Sequence, residues 1–351
     1  MALPVTTRMS KLHNIRKLAY LIAVKQTKNF FDARSMANNI FQGSRAANDA
    51  LINKSLQDIF QDHLLSKGLN DRNNLTNFKR SFTNWIQAHK SNTIQGLDQY
   101  QVDYSAGTTQ SFDSFYFRHR HRRFRCYAGE HFYHLKTWIS NQVNWSFITD
   151  SDPVDKDDAV IISMPFCDTG SLHPNYDSLI STCEQMGVPV LVDCCYYPIS
   201  GGVDIDVSST CIDTVAFSLS KAFPIANLRI GVRYTRNTFD GQKLHDSINY
   251  NNNLSAYIGL ELIRRFSSDY IYQTYQNKQK TVCNYFDLVP GNAVLFAVGD
   301  SNWNQYSRRN LLNAYQLNLA PENFNNRVSL VSMFENWDCF LQIQNETEVD
   351  I

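Results

Sequence analysis

Residues 215–232 read VAFSLSKAFPIANLRIGV, with Lys221 behind an apolar run and Arg229 a short distance after it. An ammonium at the end of a buried strand is costly to desolvate unless a partner or a covalent bond removes its charge. Read as extended from Thr214 to Ser220, the run puts Val215, Phe217 and Leu219 on one face and Ala216, Ser218 and Ser220 on the other. The first face suits a core. The second, small and hydroxylated, suits a pocket wall. Asp193 sits in the same kind of place, at the end of VPVLVD, with Tyr196 just beyond it. Gly107, Thr108 and Thr109 lie in a turn between the short strand YQVDY and a helix, where free N–H groups point at an anion. Open α/β sheets bind their ligands at such strand ends.

A buried carboxylate, a lysine and an arginine beside an anion-binding helix start suit pyridoxal 5′-phosphate (PLP). The lysine forms an imine (Schiff base) with the aldehyde, and the carboxylate keeps the ring nitrogen protonated. The arginine and hydroxyls bind the phosphate.

The elements that must hold these groups are legible. AVIISMP is a continuous apolar run, as expected of a strand covered on both faces. PNYDSLISTCEQMG follows, with Tyr176, Leu179, Ile180, Cys183 and Met186 at helical spacing and Gly187 as its C-terminal stop. VPVLVD is a second buried strand, so the unit reads as a strand–helix–strand crossover in a parallel sheet. NLTNFKRSFTNWIQAH predicts an amphipathic helix with Leu75, Phe78, Phe82, Trp85 and Ile86 inward. After about Tyr285, NAVLFAVGD, a helix-like SRRNLLNAYQ and NNRVSLVSMF predict a smaller α+β unit against which KLHNIRKLAYLIAVKQ packs.

The totals narrow the class. A chain of 351 residues can build one large and one smaller domain, and 33 basic against 33 acidic residues give no net charge. Nucleic acid and anionic membranes are therefore not expected partners. The apolar runs are too short to span a bilayer, and MALPVTTRMSKLHNIRK lacks a secretory apolar core. The eight cysteines include no C-x-x-C pair and read as buried free thiols of a reducing cytoplasm. RHRHRRFR, residues 118–125, reads as cations at a helix C-terminus rather than a polyanion site, since no second basic patch accompanies it. With no G-x-G-x-x-G and no Walker-type loop, nicotinamide and nucleoside triphosphates are not expected.

Taken together, the chain resembles the fold-type I PLP-dependent enzymes of the aminotransferase class I/II family over roughly residues 40–335. Ser218-Leu219-Ser220-Lys221 with Arg229 matches the family's lysine motif, and Asp193 with Tyr196 matches Asp-x-x-Tyr. GTTQSF resembles its phosphate-cradling turn, and NNRVSLV resembles the strand whose arginine binds the substrate α-carboxylate.

The resemblance implies an α/β fold: a large, mostly parallel seven-stranded sheet domain over 46–284, and a small α+β domain from 1–45 and 285–351. It implies a cytoplasmic homodimeric aminotransferase acting on an amino acid and a 2-oxo acid through Lys221. Gly107, Thr108, Thr109, Ser218 and Arg229 would hold the phosphate and Asp193 the ring nitrogen. Tyr196 would meet the ring oxygen, and Arg327 with Gly43 the substrate. The ring's stacking partner comes from AGEHFYH, as His131 or Phe132, with His131 the better aligned.

Two departures stand out. Cys167-Asp168-Thr169-Gly170 replaces the family's Asn-Pro-Thr-Gly, so Cys167 takes the place of an asparagine donor to the ring oxygen. No tyrosine lies near Asn70–Leu75, where the family sends one to the neighbouring subunit. Decarboxylation, elimination or racemisation on the same scaffold, and a catalytically silent ligand-binding relative, are the alternative readings.

Overall fold

The structure is a computed structural model that describes residues 5–27, 36–61, 64–237, 239–308 and 324–349. Helices α1 (Val5–Thr27), α2 (Ala50–Gln61) and α3 (Asn74–Gln87) come first. The central unit then runs β1 (Asn92–Gln95), β2 (Gln101–Ser105), α4 (Thr108–Arg118), β3 (Arg123–Cys126), α5 (Phe132–Ser140), β4 (Trp145–Phe147), β5 (Asp158–Ser163), α6 (Tyr176–Met186) and β6 (Val190–Asp193). It continues through β7 (Val203–Asp206), β8 (Ile212–Ser218), β9 (Gly231–Thr235), α7 (Gly241–Ser247), α8 (Asn253–Arg265) and α9 (Tyr270–Phe286). The chain closes with β10 (Val289–Pro290), β11 (Phe296–Gly299), β12 (Asn326–Ser329), α10 (Val331–Glu335) and α11 (Trp337–Val349).

Seven strands form the main sheet in the order β2-β9-β8-β6-β5-β3-β4, with β9 antiparallel to both neighbours and the other pairings parallel. The expected large, mostly parallel seven-stranded sheet is present. Period two then sorts side chains onto two faces. Val160, Ile162, Val190, Val192, Val215 and Phe217 join one core cluster, which also holds Phe78 and Phe82 of α3. Ala159, Ile161, Leu191 and Ala216 face a second cluster built on Phe112 and Phe115 of α4 and Leu135 and Trp138 of α5. Strands covered on both faces must be apolar throughout, and β5 and β6 are buried at every position.

Helix α3 buries the five residues its spacing predicted. Helix α6 buries Tyr176, Leu179, Ile180 and Cys183 and ends at Gly187 in the left-handed region, φ 64°. Met186 departs from expectation: it stands 46% exposed in the last turn of the helix. Strands β10, β11 and β12 form a separate antiparallel sheet, with Arg327 opposite Val298, and α1 lies against α11, where Lys17 pairs with Glu346. The helix expected over SRRNLLNAYQ falls, beyond Ser307 and Arg308, outside the described residues. The parallel pair β1–β7 was not foreseen. All eight cysteines are free thiols, each buried except the half-buried Cys195.

Three arginines of the basic run are engaged internally. Arg118 pairs with Asp213 and Asp240, and Arg123 with Asp152 and Asp158. Arg125, with no exposed surface, donates to Asp158 at 2.7 Å and to the carbonyls of Ser146, Phe147, Asp152 and Pro153. Replacing Arg125 with leucine removes a donor from four carbonyls and half of Asp158's pairing. We expect a loss of about 3–5 kcal/mol in urea unfolding, the cost of breaking a buried ion pair on one side.

Candidate active site

Three strand ends meet on one face of the sheet. Ser163, Asp193 and Ser218 share the parity of Ile161, Leu191 and Ala216, so they project towards α4 and α5. The register places Ser163 beside Asp193 on neighbouring strands. Above them, the start of α4 brings Thr108 and Thr109, and the residue before α5 brings His131. These residues line one cavity together with Pro165, Cys167, Cys195, Tyr196, Ser220, Lys221 and Arg229.

The anion end is made by close approach. Gly107 adopts φ 76°, and a Cβ there would lie 2.2 Å from Arg229 Nη2. Gly231, at the start of β9, leaves room for Gly107 itself: its Cβ would meet Phe217 O at 2.4 Å and Gly107 Cα at 3.1 Å. Arg229 is itself left-handed, φ 54°, and Arg229 Nη2 donates to Thr109 Oγ1 at 3.0 Å. A helix start, two threonines and a guanidinium thus converge, as a phosphate requires.

Asp193 lies at the other end. Its Oδ1 accepts from the Cys195 amide at 3.0 Å, and among the described residues no cation forms an ion pair with it. Burial, reinforced by the nearby Glu130 carboxyl, pushes Asp193 up to about 7. Lys221 Nζ is bonded to the Ser44 carbonyl and, at 3.0 Å, to Ser44 Oγ. Burial holds the Lys221 amine below its usual range, with the Arg327 charge acting the same way against Cys195, Cys167 and Asp193.

His131, not Phe132, is in the cavity wall. Its Nδ1 is buried without a hydrogen-bond partner among the described residues, and burial keeps the ring neutral by lowering its pKa well below the usual range. Tyr196 Oη lies 3.6 Å from Cys167 Sγ and accepts from Arg327 Nη1 at 2.9 Å. Arg327, 3% exposed, sits behind this wall. It donates to Cys167 O at 2.5 Å and lies 4.5 Å from the Phe296 ring centroid. Arg327 Nε is buried and unpartnered, and no carboxylate within the described residues pairs with the guanidinium. Gly43 is exposed and outside the wall; its neighbour Ser44 is the residue that reaches Lys221.

The sequence reading missed Ser44, Glu130, Ser163 and Arg308. A backbone carbonyl as partner leaves no signature, which hid Ser44. Glu130 and Asp168 lie inside stretches already singled out, and their burial was the missing information.

The donor set fits PLP on these observations: a glycine cradle closed to any Cβ, a buried carboxylate with no cation, and an amine within the same cavity. No family model matches this sequence, and no curated protein does. Solved structures do share its fold. A PLP-bound C-S lyase from Staphylococcus hominis in complex with L-cycloserine superposes with TM-score 0.62 at 13% identity, covering 86% of this chain and 87% of that one. The histidinol-phosphate aminotransferase from Clostridium acetobutylicum gives 0.58 at 12%, covering 88% and 99%. An aromatic aminotransferase from Pyrococcus horikoshii OT3 gives 0.59 at 12%, covering 89% and 96%. The chain therefore has the fold of the fold-type I PLP-dependent enzymes.

The cradle gives a direct test. Gly107→Ala must displace Arg229, so uptake of PLP, followed by its absorption, should weaken about tenfold or more. Unchanged uptake would remove Gly107 and Arg229 from the anion site.

Proposed function

We propose that this chain is a PLP-dependent aminotransferase that moves an amino group between an amino acid and a 2-oxo acid. The observation that carries the reading is the single cavity onto which Lys221, Asp193 and the Thr108–Thr109–Arg229 cradle all open. When bound, PLP supplies an electron sink for the charge that develops at the substrate's α-carbon.

The chain's own residues do the rest. Thr108, Thr109, Ser218 and Arg229 would hold the phosphate, and Asp193 would offer an anion to a protonated ring nitrogen and so gain the cation it lacks. Tyr196 would meet the ring oxygen, and His131, neutral, would stack on the ring without charge repulsion. Lys221, its pKa lowered by burial, would be the amine that accepts the α-proton and returns it. Arg327 presents a planar fork to the substrate carboxylate, which would occupy its free side. In this reading 46–284 form the cofactor-binding unit, the two chain ends form the smaller one, and two copies pair around their sites.

One observation favours a second reading, elimination or decarboxylation on the same scaffold. Cys167 stands beside Tyr196 Oη where an asparagine would donate to the ring oxygen, and a thiol is the weaker donor. A silent ligand-binding relative is disfavoured by the complete lysine, aspartate and arginine set. A panel of amino acids, with product 2-oxo acid, ammonia and carbon dioxide assayed separately, divides the three reactions.

Borohydride reduction of the PLP-loaded protein should fix the label on the peptide containing Lys221, as read by mass spectrometry. A label on another lysine would overturn the assignment. Arg327→Lys keeps the charge but loses the fork, so amino-acid affinity should fall by about 1.5–3 kcal/mol. Amines without an α-carboxylate should change little, and equal losses for both would give Arg327 a supporting role instead.

A further inference from the structure

Asp168, in the loop after β5, occupies the place of the proline in the family's Asn-Pro-Thr-Gly. It is 1% exposed and its carboxylate is fully engaged. Asp168 Oδ2 accepts from the Asn325 amide at 2.7 Å and from Asn325 Nδ2 at 2.9 Å, and Oδ1 accepts from Arg308 Nη1 at 3.4 Å. Arg308, 3% exposed, also donates to Gly129 O at 2.7 Å and to Glu130 O at 2.5 Å. The fit around Gly129 is tight: its φ is 101°, and a Cβ there would lie 2.5 Å from Asp168 Cβ.

The bonds close into a ring. The Glu130 carboxyl accepts from Ser163 N at 2.6 Å, Ser163 Oγ at 2.7 Å and His131 N at 3.2 Å. Ser163 Oγ in turn accepts from the amide of Cys167, the residue before Asp168, at 2.8 Å. Four buried side chains, Glu130, Ser163, Asp168 and Arg308, thus satisfy one another and the backbone around them. One side of the ring leads through Asn325 into β12, two residues before Arg327. The other leads directly into His131. A polar circuit this deeply buried is tolerated when every member is paired, and it then fixes one geometry.

We propose that Asp168 and Arg308 are positioning residues that set Arg327 and His131 against the cavity as one unit. The proposal rests on the reading of Arg327 given above. Asp168 and Arg308 touch neither end of the substrate; they act by fixing the start of β12 and the turn before α5 together. The substitution Asp168→Asn removes the negative charge and puts an amide donor against the donors of either Arg308 or Asn325, which should release that attachment and weaken the other.

The test compares the PLP-loaded wild type with Asp168→Asn and Arg308→Met. KM for amino acids should rise about tenfold while kcat stays within about threefold, and KM for amines lacking the α-carboxylate should hardly move. Amide hydrogen exchange, measured with and without PLP, should quicken together in peptides spanning 324–330 and 127–133. Equal losses for both substrate types, or faster exchange confined to one peptide, would overturn the proposal. Should Asp168→Asn fail to fold, Asn325→Ala removes a single bond from Asp168 and should give the same selective KM shift at about threefold; no shift there counts against it. A wild type that takes up no PLP would sink the functional reading, while the exchange comparison would still decide whether the two segments are coupled.

Discussion

Desolvation of charge is the constraint on which the rest of the structure turns. Asp193 and Lys221 are held away from water at one cavity and Arg327 behind its wall, and none of the three has an ion-pair partner among the described residues. An isolated charge in such surroundings shifts its protonation instead of persisting. Asp193 is pushed up to about 7 and Lys221 is lowered, each chiefly by burial, while a guanidinium has no such escape. A molecule bringing a cation to Asp193, an electrophile to Lys221 and a carboxylate to Arg327 would answer all three at once.

The scaffold makes that concentration of charge possible because its central strands are apolar nearly everywhere else. Two helical layers cover the sheet, so β5, β6 and β8 carry mainly apolar residues on both faces until their last positions. Polar side chains emerge where the helices stop covering the strands, at Ser163, Asp193 and Ser218. The helices contribute their own ends to the same place: α4 through Thr108 and Thr109, α5 through His131. Gly107 lets its backbone approach the Arg229 fork more closely than a residue with a Cβ permits, and Gly231 leaves room for Gly107 itself. By contrast, buried arginines remote from the cavity are paired off, as in Arg125 with Asp158 and Arg233 with Asp103.

Much of this was legible in the order of residues, and the reason is periodicity. Alternation along β8 separates Phe217 from Ser218, and helical spacing along α3 selects Leu75, Phe78, Phe82, Trp85 and Ile86. Motifs that are local in sequence, such as Ser218 to Lys221 or Gly107 to Thr109, survive folding as local geometry. Met186 shows the limit: its spacing is right, but whether another element covers a helix's last turn is not a property of the helix.

The sequence by itself determined the strand–helix order, the two-faced burial of the central strands and the identity of the lysine, aspartate and arginines that gather at their ends. Only the tertiary structure decided which groups meet. It chose His131 over Phe132 for the wall, joined Ser44 to Lys221 across the chain, and left Arg327 Nε without a partner among the described residues. It also closed Glu130, Ser163, Asp168 and Arg308 into a ring that no spacing could announce. Contacts between segments far apart in the chain depend on how layers pack, and the bonds that fix them run largely to backbone atoms, which every residue carries alike.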